Sequence, residues 1–476
     1  MAMRPMLLLP EILLFLGALV VLISGSFLAR DRQWVSRGFA AVALLGAATA
    51  AALNLSGPTQ MAMEGTFTVD VATGIARIVA AVGLLVVLAL ASDEIAGSPR
   101  ESETYALMLF STAGTLVLAG ASDLLVVVVG FLLATVPLYG LIGIAHTPAG
   151  AEAAMKTYLL GAIFGILLLL GVTVLYGTTA TTSYAELGAR LAQGPAAAVA
   201  VGVVAVLAAL MFKAGAVPGH FWVPDAAQGA GGAAAAFLTT IPKIGAVIAA
   251  YRLVAVLPDT LAWPLVVGLL AVATMTLGNL AAFWQTDPRR LLGWSTVSQV
   301  GYLLVPVSVA GRSDLALPSL LVYLTGYTVT NLSAFAVTTA FPDRRDLSSY
   351  RGMGHAHPWL GAALVVALLG LVGTPPTSVF IAKVTTTAAA WDAGLAWLAV
   401  AVFVNTVVSL FYYLRWIAPV YAHGDPDEPD EPDVAVDSGD AADFAPKPFS
   451  AWAAVLTAAL SVVIGLGAGL LWGAIT

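Results

Sequence analysis

Long apolar runs, closed by short polar ones, recur along the whole chain. A transmembrane helix needs about 17–25 predominantly apolar residues, and about fourteen runs have that length. They fall at roughly 6–28, 36–54, 69–92, 104–120, 122–145, 152–177, 198–225, 229–257, 262–285, 289–310, 316–341, 358–389, 394–420 and 450–475. Only the turn "AGASD" divides the fourth from the fifth, and the seventh, eighth and twelfth contain internal breaks. The pattern predicts an all-α integral membrane protein. Its expected divisions are a three-helix segment over 1–103, helices 4–8 over 104–257, helices 9–13 over 258–420, a loop over 421–449 and a last helix over 450–476.

Composition agrees with the pattern. Of 476 residues, 60% are hydrophobic and 10% charged, whereas a soluble protein carries about 25% charged residues. There is no cysteine, which removes disulfides, thiolate metal sites and cysteine nucleophiles. The net charge of −7 says little, because many of the acids sit in the stretch "GDPDEPDEPDVAVDSGDAAD". Its proline and aspartate content predicts a disordered, solvated loop. The first run lacks a clear small-residue cleavage site and is read as a retained span.

The basic residues orient the bundle. Loops after odd-numbered spans hold Arg30, Arg32, Arg37, Arg100, Lys156, Arg289, Arg290, Arg344, Arg345, Arg351, Arg415 and Lys447, and the opposite side holds Arg4, Arg190, Arg252 and Arg312. Short cytoplasmic loops are enriched in Lys and Arg. The odd loops are therefore expected in the cytoplasm and both termini outside. Four cations remain, Arg77, Lys213, Lys243 and Lys383, all within spans. An intramembrane charge is costly and marks function by default.

The breaks stand beside these charges. In "FKAGAVPGHFWVPDA", Pro218 lacks a backbone donor, and Gly215 and Gly219 weaken the helix around it. Broken backbone at membrane depth is tolerated only inside protein or along a wet cavity. Span seven is thus expected as two half-helices, with Lys213 and His220 flanking the break. "LGLVGTPPTSVFIAKV" repeats the arrangement, with Gly373, Pro375 and Pro376 at the break and Lys383 beyond. Two interrupted spans, five apart, suggest two inverted five-helix repeats of transporter type, with helices 7 and 12 broken.

Lysine in a low-dielectric site exchanges a proton under modest electrostatic change, and histidine titrates near neutral pH. Lys213, His220, Lys243 and Lys383 can form a row of proton sites near the midplane, joined by water. The blander reading is a set of structural pairs or snorkelling side chains, with His220 a packing histidine. Lys213 and Lys383 lie too close to helix breaks for snorkelling. The five histidines are scattered without acids at ligand spacing, so no metal site is expected. The chain has no phosphate loop, dinucleotide fingerprint or nucleophile–base constellation, and neither a redox cofactor nor nucleic acid is expected to bind it.

These same residues carry a resemblance. "MFKAGAVPGHFWVPDAAQGA" and "GTPPTSVFIAKV" resemble the seventh and twelfth helices of the antiporter-like subunits of respiratory complex I. "EAAMKTYLLGAIFGILLLLGVTVLYG" and "DPRRLLGWSTVSQVGYLL" are similar to the sixth and tenth helices of the N type. Fourteen spans without a long lateral helix suit the N type better than the L type, and Lys383 differs from the glutamate of the M type. The resemblance implies that Lys213, Lys243 and Lys383 are the central proton-path lysines. It further implies that His220 links the half-channels and that Lys156 is the sixth-helix lysine. It implies K-like and M-like membrane neighbours, with NADH, iron–sulfur clusters and quinone bound by partner subunits.

One departure stands out. The family's fifth helix carries a glutamate that serves as counter-ion to the seventh-helix lysine, and "GFLLATVPLYGL" has Leu132 at that point. Gln228 replaces an acid and Gly231 a proline. Asp123 and Glu103 are candidates for a relocated acid, and Asp70 and Arg77, seven apart, for a pair across two helical turns. Three functions stay open. The first is the proton-translocating subunit of an NADH:quinone oxidoreductase in a bacterial inner membrane. The second is a subunit of a cation/proton antiporter or membrane-bound hydrogenase. The third is a non-pumping scaffold.

Overall fold

A computed structural model describes residues 3–258, 262–422 and 445–475. The first three spans are α1 (Leu9–Phe27), α2 (Trp34–Asn54) and α3 (Val71–Glu94). A hairpin of β1 (Gln60–Ala62) and β2 (Phe67–Val69) interrupts the loop before α3, pairing Met61 with Thr68. The first repeat follows: α4 (Glu101–Gly120), α5 (Leu124–Gly143), α6 (Pro148–Thr179), the short α7 (Tyr184–Leu191), α8 (Ala196–Ala214), α9 (Trp222–Gly229) and α10 (Gly232–Ala255). The second comprises α11 (Trp263–Ala282), α12 (Pro288–Ser308), α13 (Ala316–Ala340), the one-turn α14 (Met353–Ala356), α15 (Pro358–Val372), α16 (Ser378–Asp392) and α17 (Ala396–Tyr421). The chain closes with α18 (Pro448–Leu466) and α19 (Ala468–Ile475). The acidic stretch predicted to be a disordered loop lies outside the described residues.

Eleven of the described helices are long and apolar enough to cross a membrane. The other expected spans are α4, α12 and the broken pair α15–α16. α10 and α13 form the centre and are buried along nearly their whole length. Small residues make that possible. Without an aqueous driving force between helices, close backbone approach supplies the packing, and α10 offers Gly232, four successive alanines, Gly245, Ala246, Ala249 and Ala250. A Cβ on Gly83 of α3 would stand 2.6 Å from the Ile241 side chain of α10.

The breaks in spans seven and twelve form as predicted. α8 ends at Gly215 with φ 88°, and α15 ends at Gly373 with φ 90°, the left-handed conformation that glycine adopts without steric cost. Both turns close alike: the amides of Gly215 and Ala216 reach the Met211 carbonyl, and those of Gly373 and Thr374 reach Leu369. Val217–Pro218 and Pro375–Pro376 are cis.

Two expectations are overturned. The eighth span has no break, since α10 runs continuously through Pro242. Proline leaves the carbonyl four residues back without its donor. Here Tyr327 Oη donates to the adjoining Thr239 carbonyl at 2.7 Å, so a neighbouring helix supports the ladder where it is weakened. Nor do Asp70 and Arg77 pair. Asp70 caps its own helix through the Thr73 amide at 2.9 Å and meets Arg252 Nη2 at 2.7 Å. Arg77 instead binds Glu11 of α1 through two contacts of 2.8 Å, one to each carboxylate oxygen.

Candidate functional site

The site is built from the two interrupted spans and the central helices between them. Lys213 lies in the last turn of α8 and is wholly buried. Its Nζ donates to the Ala134 carbonyl of α5 at 2.7 Å. Pro137 in α5 removes the donor that would serve Leu133, and the next carbonyl, Ala134, also accepts from Ser111 Oγ at 2.7 Å. The lysine thus meets an opened stretch of helix rather than a carboxylate.

Lys243 comes from α10 and is likewise wholly buried. Its Nζ lies 4.4 Å from the centroid of the Trp222 ring, at the start of α9. A Cβ on Gly215 would stand 3.2 Å from that same Nζ, so the central lysine reaches the break of span seven. Trp222 is fixed there by its Nε1, which donates to the Phe212 carbonyl at 3.0 Å. Among the described residues, Lys243 Nζ and both ring nitrogens of His220 have no hydrogen-bond partner. His220 packs between the Phe221 and Trp294 rings.

Lys383 sits on α16 and folds back onto the end of α15. Its Nζ donates to Val372 at 2.9 Å and Leu371 at 3.4 Å, placing an ammonium at the negative end of a half-helix. The Tyr302 ring lies beneath it, 3.9 Å from Nζ to the centroid.

Between Lys243 and Lys383 runs a line of buried polar groups that sequence reasoning missed. Asn331 donates to Thr239, and Tyr327 joins the Thr239 carbonyl to Thr296. One turn along, Tyr323 donates to Gln299 at 2.7 Å, and Gln299 donates to the Leu371 carbonyl at 2.8 Å. That carbonyl is one of the two holding Lys383. A signal was present: Tyr323, Tyr327 and Asn331 recur every four residues on one face of α13.

The three amines share a property. Among the described residues, none of the three has a carboxylate within 4.0 Å. The arrangement is a row of buried titratable groups between two broken helices, with hydroxyl and amide groups lying between the second and third lysines.

Residues 121–409 match the family described as "NADH:quinone oxidoreductase/Mrp antiporter, TM". The chain is 63% identical over 475 residues to NADH-quinone oxidoreductase subunit N of Mycobacterium sp. (strain JLS), covering 100% of this chain and 99% of that one. The chain belongs to the NADH-quinone oxidoreductase subunit N family. It also superimposes on a chain of respiratory complex I from Thermus thermophilus, solved with bound aureothin. That match has a TM-score of 0.81 and 29% identity, and covers 98% of this chain and 99% of the other. A chain of the Mrp complex from Dietzia sp. DQ12-45-1b shares the fold with a TM-score of 0.83 at 24% identity, covering 99% and 96%.

As a subunit N family member the chain is a multi-pass membrane protein, and its other predicted site residues can be placed. Pro218 and Gly219 lie in the seventh-span break and Pro375 and Pro376 in the twelfth. Lys156 stands apart from the lysine row, half exposed on α6, bridging Glu152 at 2.6 Å and Asp225 at 2.9 Å. Asp225 belongs to α9 and also receives Arg290 Nη1 at 2.6 Å. Leu132 points outward, 45% exposed. Neither candidate for a relocated acid serves Lys213. Asp123 caps α5 and accepts from Thr182, and Glu103 is exposed in the first turn of α4.

Proposed function

We propose that this subunit carries protons along Lys213, Lys243 and Lys383, with His220 beside the first break and Tyr327, Tyr323 and Gln299 joining the second and third lysines. The observation carrying this reading is that three buried amines have backbone carbonyls or aromatic rings as partners, with no described carboxylate in contact. An unpaired amine in a low-dielectric interior is costly for stability alone. It is useful where the charge must come and go, and neutral lysine needs no counter-ion. Lys156 enters through Asp225, which stands on α9, the half-helix after the break.

Electron transfer belongs to the complex. NADH, iron–sulfur clusters and quinone are assigned to partner subunits, and K-like and M-like subunits to the flanks of this chain in the membrane arm. The orientation that fits the basic residues puts both termini outside a bacterial inner membrane.

The test uses membrane vesicles carrying the assembled complex, with assembly checked on a native gel. Lys213→Ala and Lys383→Ala should assemble, oxidise NADH and move fewer protons per NADH. A second reading, a scaffold that keeps the fold without pumping, is favoured by Leu132, which leaves Lys213 without the family's acid. Normal proton yield in both lysine variants would establish it.

A further inference from the structure

α13 and α16 pack antiparallel, and their contacts keep one register. Ser378 Oγ meets the Gly326 carbonyl at 3.4 Å near the break. Ala316 and Ala389 share a small apolar cluster with Val309, separate from the main core. At the far end Ser313 Oγ donates to Asp392 Oδ2 at 2.6 Å. The same register sets Ser319 opposite Thr386, about one turn beyond Lys383.

These two hydroxyls behave unlike their neighbours. Hydroxyls in membrane helices usually donate to a carbonyl one turn back, and Thr385 and Thr387 do so, to Ala382 and to Lys383. Thr386 Oγ1 and Ser319 Oγ are wholly buried and have no partner among the described residues, not even each other. Buried hydroxyls of this kind are satisfied by internal water. Beyond them Val309, Ala316 and Ala389 are wholly buried, and beyond these the Ser313–Asp392 pair is exposed. The order along the seam is lysine, hydroxyl pair, apolar plug, exposed acid.

We propose that a proton leaves Lys383 along the α13–α16 seam over water held by Ser319 and Thr386, and that Val309, Ala316 and Ala389 form a dry gate on this route. This rests on the reading that Lys383 carries the proton. The Lys383 N–H bond breaks as an O–H bond forms on the first water, and O–H exchange carries the charge outward. Lys383 is left neutral until it is reloaded from the Gln299 side. The small plug excludes water in the closed state and admits it when the helices shift slightly, which is how apolar constrictions gate.

The experiment uses vesicles with the assembled complex and two readouts: protons moved per NADH oxidised, and passive decay of an imposed pH gradient without turnover. Thr386→Val keeps the shape and removes the hydroxyl, so it should assemble and show the proton loss of Lys383→Ala, while Thr386→Ser retains the native yield. Ser319→Ala should lose yield in the same direction and decides the matter if Thr386→Val fails to assemble. Ala389→Ser, which wets the plug, should speed passive decay at least twofold. Native yield in Thr386→Val and Ser319→Ala overturns the hydroxyl step. Loss in both Thr386→Val and Thr386→Ser makes Thr386 a packing residue and also overturns it. An unchanged leak in Ala389→Ser overturns the gate. If Lys383→Ala itself pumps normally, the lysine reading fails instead, and the two failures are distinct.

Discussion

Lys383 lies in the space that Gly373 leaves by having no side chain: a Cβ on Gly373 would stand 2.9 Å from Lys383 Cδ. Gly373 also holds φ 90°, where an L side chain costs about 1–2 kcal/mol. Gly373→Ala should therefore destabilise the subunit by about that amount and push Lys383 off the Leu371 and Val372 carbonyls. The checks are thermal stability of the purified complex and proton yield per NADH. Native values of both would show that Lys383 does not need this cradle.

Arg77 and Glu11 tie α3 to α1 across 66 positions of sequence. Both are buried, with Arg77 1% exposed, and removing one partner of a buried pair costs about 3–5 kcal/mol. Glu11→Ala should sharply reduce assembled complex on a native gel. Adding Arg77→Met, which removes the stranded charge and keeps apolar volume, should restore much of it. If the double variant assembles no better than Glu11→Ala, desolvation of the arginine is not the cause.

Glu94 ends α3 and caps α10, accepting from the Gly232 amide at 2.7 Å and the Ala233 amide at 2.8 Å. At the opposite end of the same two helices Asp70 meets Arg252. α10, with Lys243 midway, is thus held at both ends by acids of α3. A lost cap costs about 0.5–2 kcal/mol. Glu94→Ala should lower stability by that much, and Glu94→Gln, which keeps an acceptor oxygen, by less. Equal loss in the two would mean that charge, not capping, is what Glu94 supplies.

Leu132 faces outward while Lys213 takes the Ala134 carbonyl. Within the described residues no carboxylate takes the place that the resemblance expects at 132. A carboxylate at 132 meets lipid or a neighbouring subunit before it meets Lys213, and an acid facing hydrocarbon costs about 2.5–3.5 kcal/mol. Leu132→Glu should give no gain in proton yield. A clear gain would show that the exposed face of α5 turns toward Lys213 in the assembled complex.

Orientation is testable without any chemistry. Reporter fusions after residue 475 should respond as exported, and insertions within residues 424–443 as cytoplasmic. A cytoplasmic reading at the C-terminus would overturn the assignment drawn from the Lys and Arg distribution.

The sequence alone determined the spans, the two breaks and the lysines beside them. Each is a local matter: span length follows from bilayer thickness, and glycine and proline act on their own backbone. The tertiary structure decided which groups meet. Arg77 chose Glu11 over the nearer Asp70 because Asp70 was already turned to its own helix end and to Arg252. α10 runs whole through Pro242, and beside that proline the Thr239 carbonyl accepts from Tyr327, 88 positions later in the chain. Lys213 found a carbonyl on α5, 79 residues earlier, and Ser319 and Thr386 share a seam only through the α13–α16 register. Side-chain partners at such separations depend on which helix faces are pressed together, and no periodicity within one helix carries that information.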